Sequence, residues 1–146
     1  MPASSYGRRL VEIRQVLYPE PFQKKLRSKS PVVRPGEDGR GNFFVKTEGL
    51  TFVRPGDLPR GVVFRDASFL VVYEKWSMSE DRLLGYKYHY QQSDGWFVRY
   101  DMEEEERPGH PRHHLQASVL GEDVRLTTGE VRCEEVLRMI ADQFVR

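Results

Sequence analysis

Hydrophobic and polar positions change their period along the chain. Over residues 4–18, SSYGRRLVEIRQVLY, the residues Leu10, Ile13, Val16 and Leu17 recur at helical spacing. That spacing predicts an N-terminal helix with Ser4 or Ser5 as its cap, ended or bent by Pro19 and Pro21. Residues 23–30 read as a short basic helix. Beyond residue 41 the pattern shortens to alternation. SFLVVYEKW (68–76), LLGYKYHYQ (83–91) and WFVRYDM (96–102) are rich in β-branched and aromatic residues and are separated by turn residues, which predicts strands. VRPGEDGRGNFF (33–44) and VRPGDLPRGVVF (53–64) align at an offset of 20 residues. Each reads as a Pro-Gly turn feeding a strand, with FFVKTEGLTFV and GVVFRD in the sheet. EDVRLTTGE (122–130) supplies a further short strand. CEEVLRMIADQFV (133–145) returns to helical spacing through Val136, Leu137, Ile140 and Phe144, with Cys133 at the expected N-cap.

The pattern also fixes a register. QSDG lies between the strands 83–91 and 96–102, and Gly after Asp suits a three-residue hairpin loop with Gly95 in the left-handed conformation. Pairing Tyr90 with Val98, Tyr88 with Tyr100 and Tyr86 with Met102 collects Leu84, Tyr86, Tyr88, Tyr90, Trp96, Val98, Tyr100 and Met102 on one face. A two-residue loop would mix the faces. The other face then carries Gly85, Lys87, His89, Phe97, Arg99 and Asp101, outside the core. The order of helix, antiparallel strands and helix predicts an α+β domain: an antiparallel β-sheet flanked by an N-terminal and a C-terminal helix. A chain of 146 residues is expected to form a single domain over 1–146. Within it, 1–40 is a basic N-terminal helical arm, 41–126 the sheet with a histidine loop at 107–116, and 130–146 the closing helix.

Composition narrows the function classes. The net charge of +1 says little by itself, but its distribution is uneven. Residues 1–35 hold eight Lys or Arg against Glu12 and Glu20, and the remainder is net acidic, including Glu103–Glu106. Such an arm suits a nucleic-acid backbone or an acidic partner, and equally a solvated basic face. The lone Cys133 excludes an intramolecular disulfide and a cysteine-rich zinc site. No apolar run approaches membrane-spanning length and no hydrophobic leader is evident, so a cytoplasmic protein without membrane contact is expected.

The chemistry concentrates in RPGHPRHHL (107–115), which holds three of the four histidines. Neutral imidazole moves protons near pH 7, and a carboxylate such as Asp101 can orient it. Arg99 and Arg112 suit a developing phosphoryl anion. The other reading of His110, His113 and His114 is a surface loop that caps strand ends. Two imidazoles also suffice to bind a transition metal, although no spacing here matches a strong zinc motif. Lys87, His89, Arg99 and Asp101 form a second constellation. It is either a set of cross-strand ion pairs, Lys87 with Asp101, or an open polar face for phosphate or RNA on which Phe97 stacks a base. Gly39 and Gly41 are not followed by a Lys-Ser/Thr pair, so no phosphate-binding P-loop is assigned.

YKYHYQQSDGWFVRYD, the proline-flanked HPRHH and VRLTTGEVRCEEVLRMI resemble the TumE-type toxin family of bacterial toxin–antitoxin pairs over about residues 69–142. The resemblance implies a small α+β protein encoded beside an antitoxin, with an RNA-directed activity and with Arg99, Tyr100, Asp101, His113 and His114 as the matching positions. Met102 and the acidic run depart from the family's amide-containing pattern, Gln116 stands where a further histidine is expected, and residues 23–64 show no counterpart. The expected function is a toxin-like protein acting on RNA as a metal-independent ribonuclease. His113 or His114 would be acid or base, Asp101 would orient it, and Arg99, Arg112, His89 and Lys87 would contact substrate. The alternative is a non-catalytic module that binds a protein or nucleic acid. No cofactor is expected, with a metal at the histidine loop as a further alternative. An antitoxin-like protein and RNA are the expected partners. The oligomeric state stays open.

Overall fold

A computed structural model describes residues 5–17, 19, 24–27, 33–47, 61–105, 108, 111–119 and 121–144. Helix α1 (Ser5–Leu17) opens the chain. Among the described residues eight strands follow: β1 (Val33–Glu37), β2 (Asn42–Thr47), β3 (Val62–Val63), β4 (Phe69–Ser77), β5 (Arg82–Gln91), β6 (Phe97–Met102), β7 (His113–Val119) and β8 (Glu122–Thr127). Helix α2 (Cys133–Met139) runs into a wider π-helical turn, Ile140–Phe144. The strands form one antiparallel sheet in the order β1-β2-β4-β5-β6-β7-β8, and β3 pairs with β4. This is the α+β arrangement expected from the sequence.

One face of the sheet packs against both helices. Leu70, Val72 and Trp76 of β4, Tyr86, Tyr88 and Tyr90 of β5, and Val98 of β6 meet Ile13, Leu17, Val136, Leu137 and Ile140 in the main core. The β5–β6 register is Tyr86 with Met102, Tyr88 with Tyr100 and Tyr90 with Val98, as the alternation requires. The Gln92 N–H donates to the Trp96 carbonyl at 2.8 Å and closes a three-residue loop in which Gly95 has φ +93°.

Four expectations are corrected. The register of β4 on β5 shifts between Lys75, opposite Gly85, and Trp76, opposite Leu83. Leu83, not Leu84, therefore packs against the core. VRPGE at 33–37 is strand β1 rather than a turn, and the reversal follows at residues 38–41, where Gly39 and Gly41 have positive φ. The second copy, from 53 to 60, lies outside the described residues. Of the expected helix 23–30, the described residues 24–27 form a turn in which Leu26 bridges Phe64. Arg132, not Cys133, is the N-cap of α2, and its backbone N–H donates to the Glu135 carboxylate at 3.3 Å. Cys133 is the first helical residue and is fully buried, and burial pushes its thiol pKa up, the opposite of what a nucleophile needs.

The largest departure concerns the histidine loop. His113–Val119 is strand β7, paired with β6 through Val98–Ala117, Tyr100–Leu115 and Asp101–His114. Leu115 and Ala117 alternate with His114, Gln116 and Ser118, a period-two pattern that polar and small residues conceal.

Candidate active site

The face of the sheet away from the helices carries the polar constellation. Register places Tyr73, Lys87, Asp101, His114 and Thr127 in one row across β4 to β8. The next row is Val71, His89, Arg99, Gln116 and Arg125. Lys87, His89, Arg99, Asp101 and His114 thus share one face. It is not the open face expected: His89 and His114 are each 3% exposed, Asp101 5% and Arg99 9%, while Lys87 is half-buried.

At the centre, His114 Nε2 lies 3.2 Å from Asp101 Oδ2. Its Nδ1 lies 3.2 Å from the carbonyl oxygen of Pro111. A carbonyl only accepts, so Nδ1 carries a proton. Facing a carboxylate, Nε2 must also share one. The pair is therefore either imidazolium with carboxylate or neutral imidazole with carboxylic acid, and it holds one proton between the two side chains. Burial raises the Asp101 pKa from its ordinary value, against the opposing charges of Arg99, His114 and Lys87. The second carboxyl oxygen, Oδ1, is buried and has no hydrogen-bond partner among the described residues. The expected Lys87–Asp101 ion pair is a register neighbour pair, but the bonded partner of Asp101 is His114.

Beside this pair sits a neutral histidine. Arg99 Nε donates to His89 Nδ1 at 3.3 Å, which leaves the proton on Nε2, 2.9 Å from Gln91 Oε1. Burial lowers the His89 pKa to about 4. Burial likewise lowers the Arg99 pKa. The His89 ring stacks on half-buried Phe97 with centroids 5.3 Å apart. Along the same face a pocket of about 330 Å³ is lined by Tyr73, Lys75, Lys87, Glu103 and Glu104. Lys75 and Glu104 are ion-paired at 2.6 Å, and Lys87 and Glu103 both act electrostatically on Asp101.

The two adjacent histidines part company, because neighbours on a strand face opposite sides. His113 points to the helix side, where its Nδ1 lies 3.0 Å from the Tyr86 hydroxyl. That hydroxyl also accepts from the Val131 N–H at 3.0 Å. Burial raises the Tyr86 pKa to about 12, which keeps the hydroxyl protonated. Arg112 is half-buried at the entry to β7, and its carbonyl accepts from the Glu103 N–H at 2.7 Å. His110 lies outside the described residues. Among the described residues no three His, Cys, Asp or Glu side chains converge to hold a metal ion.

Sequence reasoning missed a second polar centre, inside the core. Glu74 is fully buried on β4. Its carboxylate accepts from Arg9 Nε and Nη2, at 3.0 and 2.9 Å, from Trp76 Nε1 at 3.1 Å and from the Tyr88 hydroxyl at 2.6 Å. Arg9 also contacts Glu134 of α2, and Glu12 bonds Arg132 at 2.7 Å. The signal was present. Positions 70, 72, 74 and 76 share the core face, so a carboxylate at 74 is an anomaly, and Arg9 precedes Ile13 and Leu17 on the buried side of α1.

The model of the family described as Toxin TumE matches residues 39–144. This chain belongs to the TumE toxin family. The match begins 30 residues before the resemblance legible at residue 69, so residues 39–64, which showed no counterpart, lie within the family's span. No curated protein and no solved structure matches the chain significantly. Among the described residues no helix is long and apolar enough to cross a membrane.

Proposed function

We propose that this TumE-family toxin acts on RNA in the cytoplasm as a metal-independent ribonuclease, with the Asp101–His114 pair as its reactive centre, and that an antitoxin restrains it. The observation that carries the reading is Asp101: one oxygen is held by His114, and the other is buried without a described partner on a residue paired in register with Lys87. Unsatisfied buried polar atoms are rare, and a catalytic role is one explanation for them.

This reading exchanges the roles expected from the residues alone. Both ring nitrogens of His114 face protein acceptors, so His114 holds and charges its partner while Asp101 keeps a reacting oxygen. A carboxylate whose proton affinity is raised by burial suits general-base work. In the proposed step RNA binding displaces the side chains that enclose Oδ1, and Asp101 takes the proton of an RNA 2′-hydroxyl. The 2′-oxygen attacks the adjacent phosphorus, the bond to the 5′-oxygen breaks, and that oxygen takes a proton from water. The products are a 2′,3′-cyclic phosphate and a 5′-hydroxyl. Lys87, and Arg99 behind it, supply the positive charge that the phosphate requires.

The second reading is a non-catalytic module, which the occupation of both His114 nitrogens favours. The purified full chain separates the two. Incubation with single-stranded RNA in the presence of a chelator is expected to yield cyclic-phosphate ends, with Asp101→Asn reduced by roughly 100-fold or more, the usual worth of general acid–base catalysis. RNA bound tightly but left intact by the wild type supports the module instead.

A further inference from the structure

Among the described residues the main path of the sheet ends at β1 and β8, with the short β3 off that path, and the two end strands differ in kind. Edge strand β1 contains Pro35, which has no N–H to offer a further strand. Edge strand β8 (Glu122–Thr127) has neither proline nor lysine, and its side chains are exposed except for half-buried Val124. Leu126, 56% exposed, is one of few large hydrophobic residues left in solvent. Among the described residues β8 pairs on one side only, with β7, and an edge that lacks proline and lysine is a template for another strand.

Which backbone groups face outward follows from the ladder. The Thr128 N–H donates to the His113 carbonyl at 3.1 Å. Antiparallel ladders alternate, so Leu126, Val124 and Glu122 bond inward to Leu115, Ala117 and Val119. Asp123, Arg125 and Thr127 therefore turn their N–H and C=O groups to the open edge. A two-fold symmetric antiparallel partner must pair these outward residues with one another. Pairing Arg125 with Arg125 or Asp123 with Asp123 sets like charges face to face. The register centred on Val124 sets each Asp123 against Arg125 of the second copy, giving two opposite-charge pairs on one face. On the other face the two Val124 side chains meet, flanked by Leu126. The strand is thus complementary to itself in one register.

We propose that β8 is a homodimer interface, in which two chains join their sheets edge to edge through the Asp123–Arg125 register. A two-fold contact of this type is closed, so it stops at a dimer. Because β6 and β7 lie next to β8, the joined sheet carries the two Asp101–His114 centres on the same face.

Sedimentation equilibrium of the full chain tests this, with thermal melting to confirm that each variant is folded. The wild type is expected to dimerise in the micromolar range. Arg125→Asp turns both charge pairs repulsive and is expected to weaken the dimer about tenfold. The swap Asp123→Arg/Arg125→Asp restores complementarity and should recover most of that loss. A wild type that stays monomeric, including one whose edge pairs only with an antitoxin strand, overturns the proposal. So does a folded Arg125→Asp variant that dimerises as tightly as the wild type.

Discussion

His113 and His114 are neighbours in sequence with opposite environments. One shares a hydrogen bond with the Tyr86 hydroxyl on the helix side, and the other pairs with Asp101 on the far face. The account expects His114→Asn to lose growth arrest and His113→Asn to retain it with a modest loss of stability, both read at equal soluble protein levels. His89 gives a pH test. Its folded pKa of about 4 is depressed from 6.5, because burial disfavours the imidazolium. A depressed folded value means that the unfolded chain binds the extra proton first. The stability contributed by neutral His89 is therefore complete above pH 6.5 and is lost as pH falls toward 4. Ring resonances assigned by His89→Gln should titrate near pH 4, and in the wild type urea stability should fall more steeply across that window than in the variant. The residue types of this face were legible in sequence, but their burial was not. Lys87, His89, Arg99 and Asp101 alternate with core residues, and alternation tells which side a residue faces, not whether that side is covered.

At the scale of elements, the β5–β6 hairpin was readable because every second residue is aromatic or aliphatic and Gly95 fits a single loop geometry. Strand β7 was not, because prolines and histidines precede it and only Leu115 and Ala117 mark its inward face. The junction of α1, β4, β5 and α2 was also hidden, since it depends on Arg9 meeting a carboxylate 65 residues away. It has a measurable consequence. Arg9→Met leaves Glu74 buried with only the Trp76 and Tyr88 donors, so it should cost about 3–5 kcal/mol in urea unfolding, as removal of one member of a buried pair does. A loss below about 1 kcal/mol, the usual worth of an exposed pair, would show that the junction is solvated in solution.

The whole molecule joins two polar systems through one sheet. The Arg9–Glu74 network ties the helices to the core face, and the Asp101–His114 pair is buried on the opposite face. The α+β class followed from the sequence because helical and alternating periods occupy separate stretches. Family membership, over residues 39–144, makes the chain toxin-like and leaves its chemistry to the site. The central claim is that toxicity depends on the carboxylate of Asp101. Growth after induced expression of the wild type and of Asp101→Asn, with soluble levels matched, tests it most directly. The account predicts arrest by the wild type and normal growth with Asp101→Asn, which keeps the side chain's shape and removes its charge. Arrest of equal depth by both proteins would contradict it.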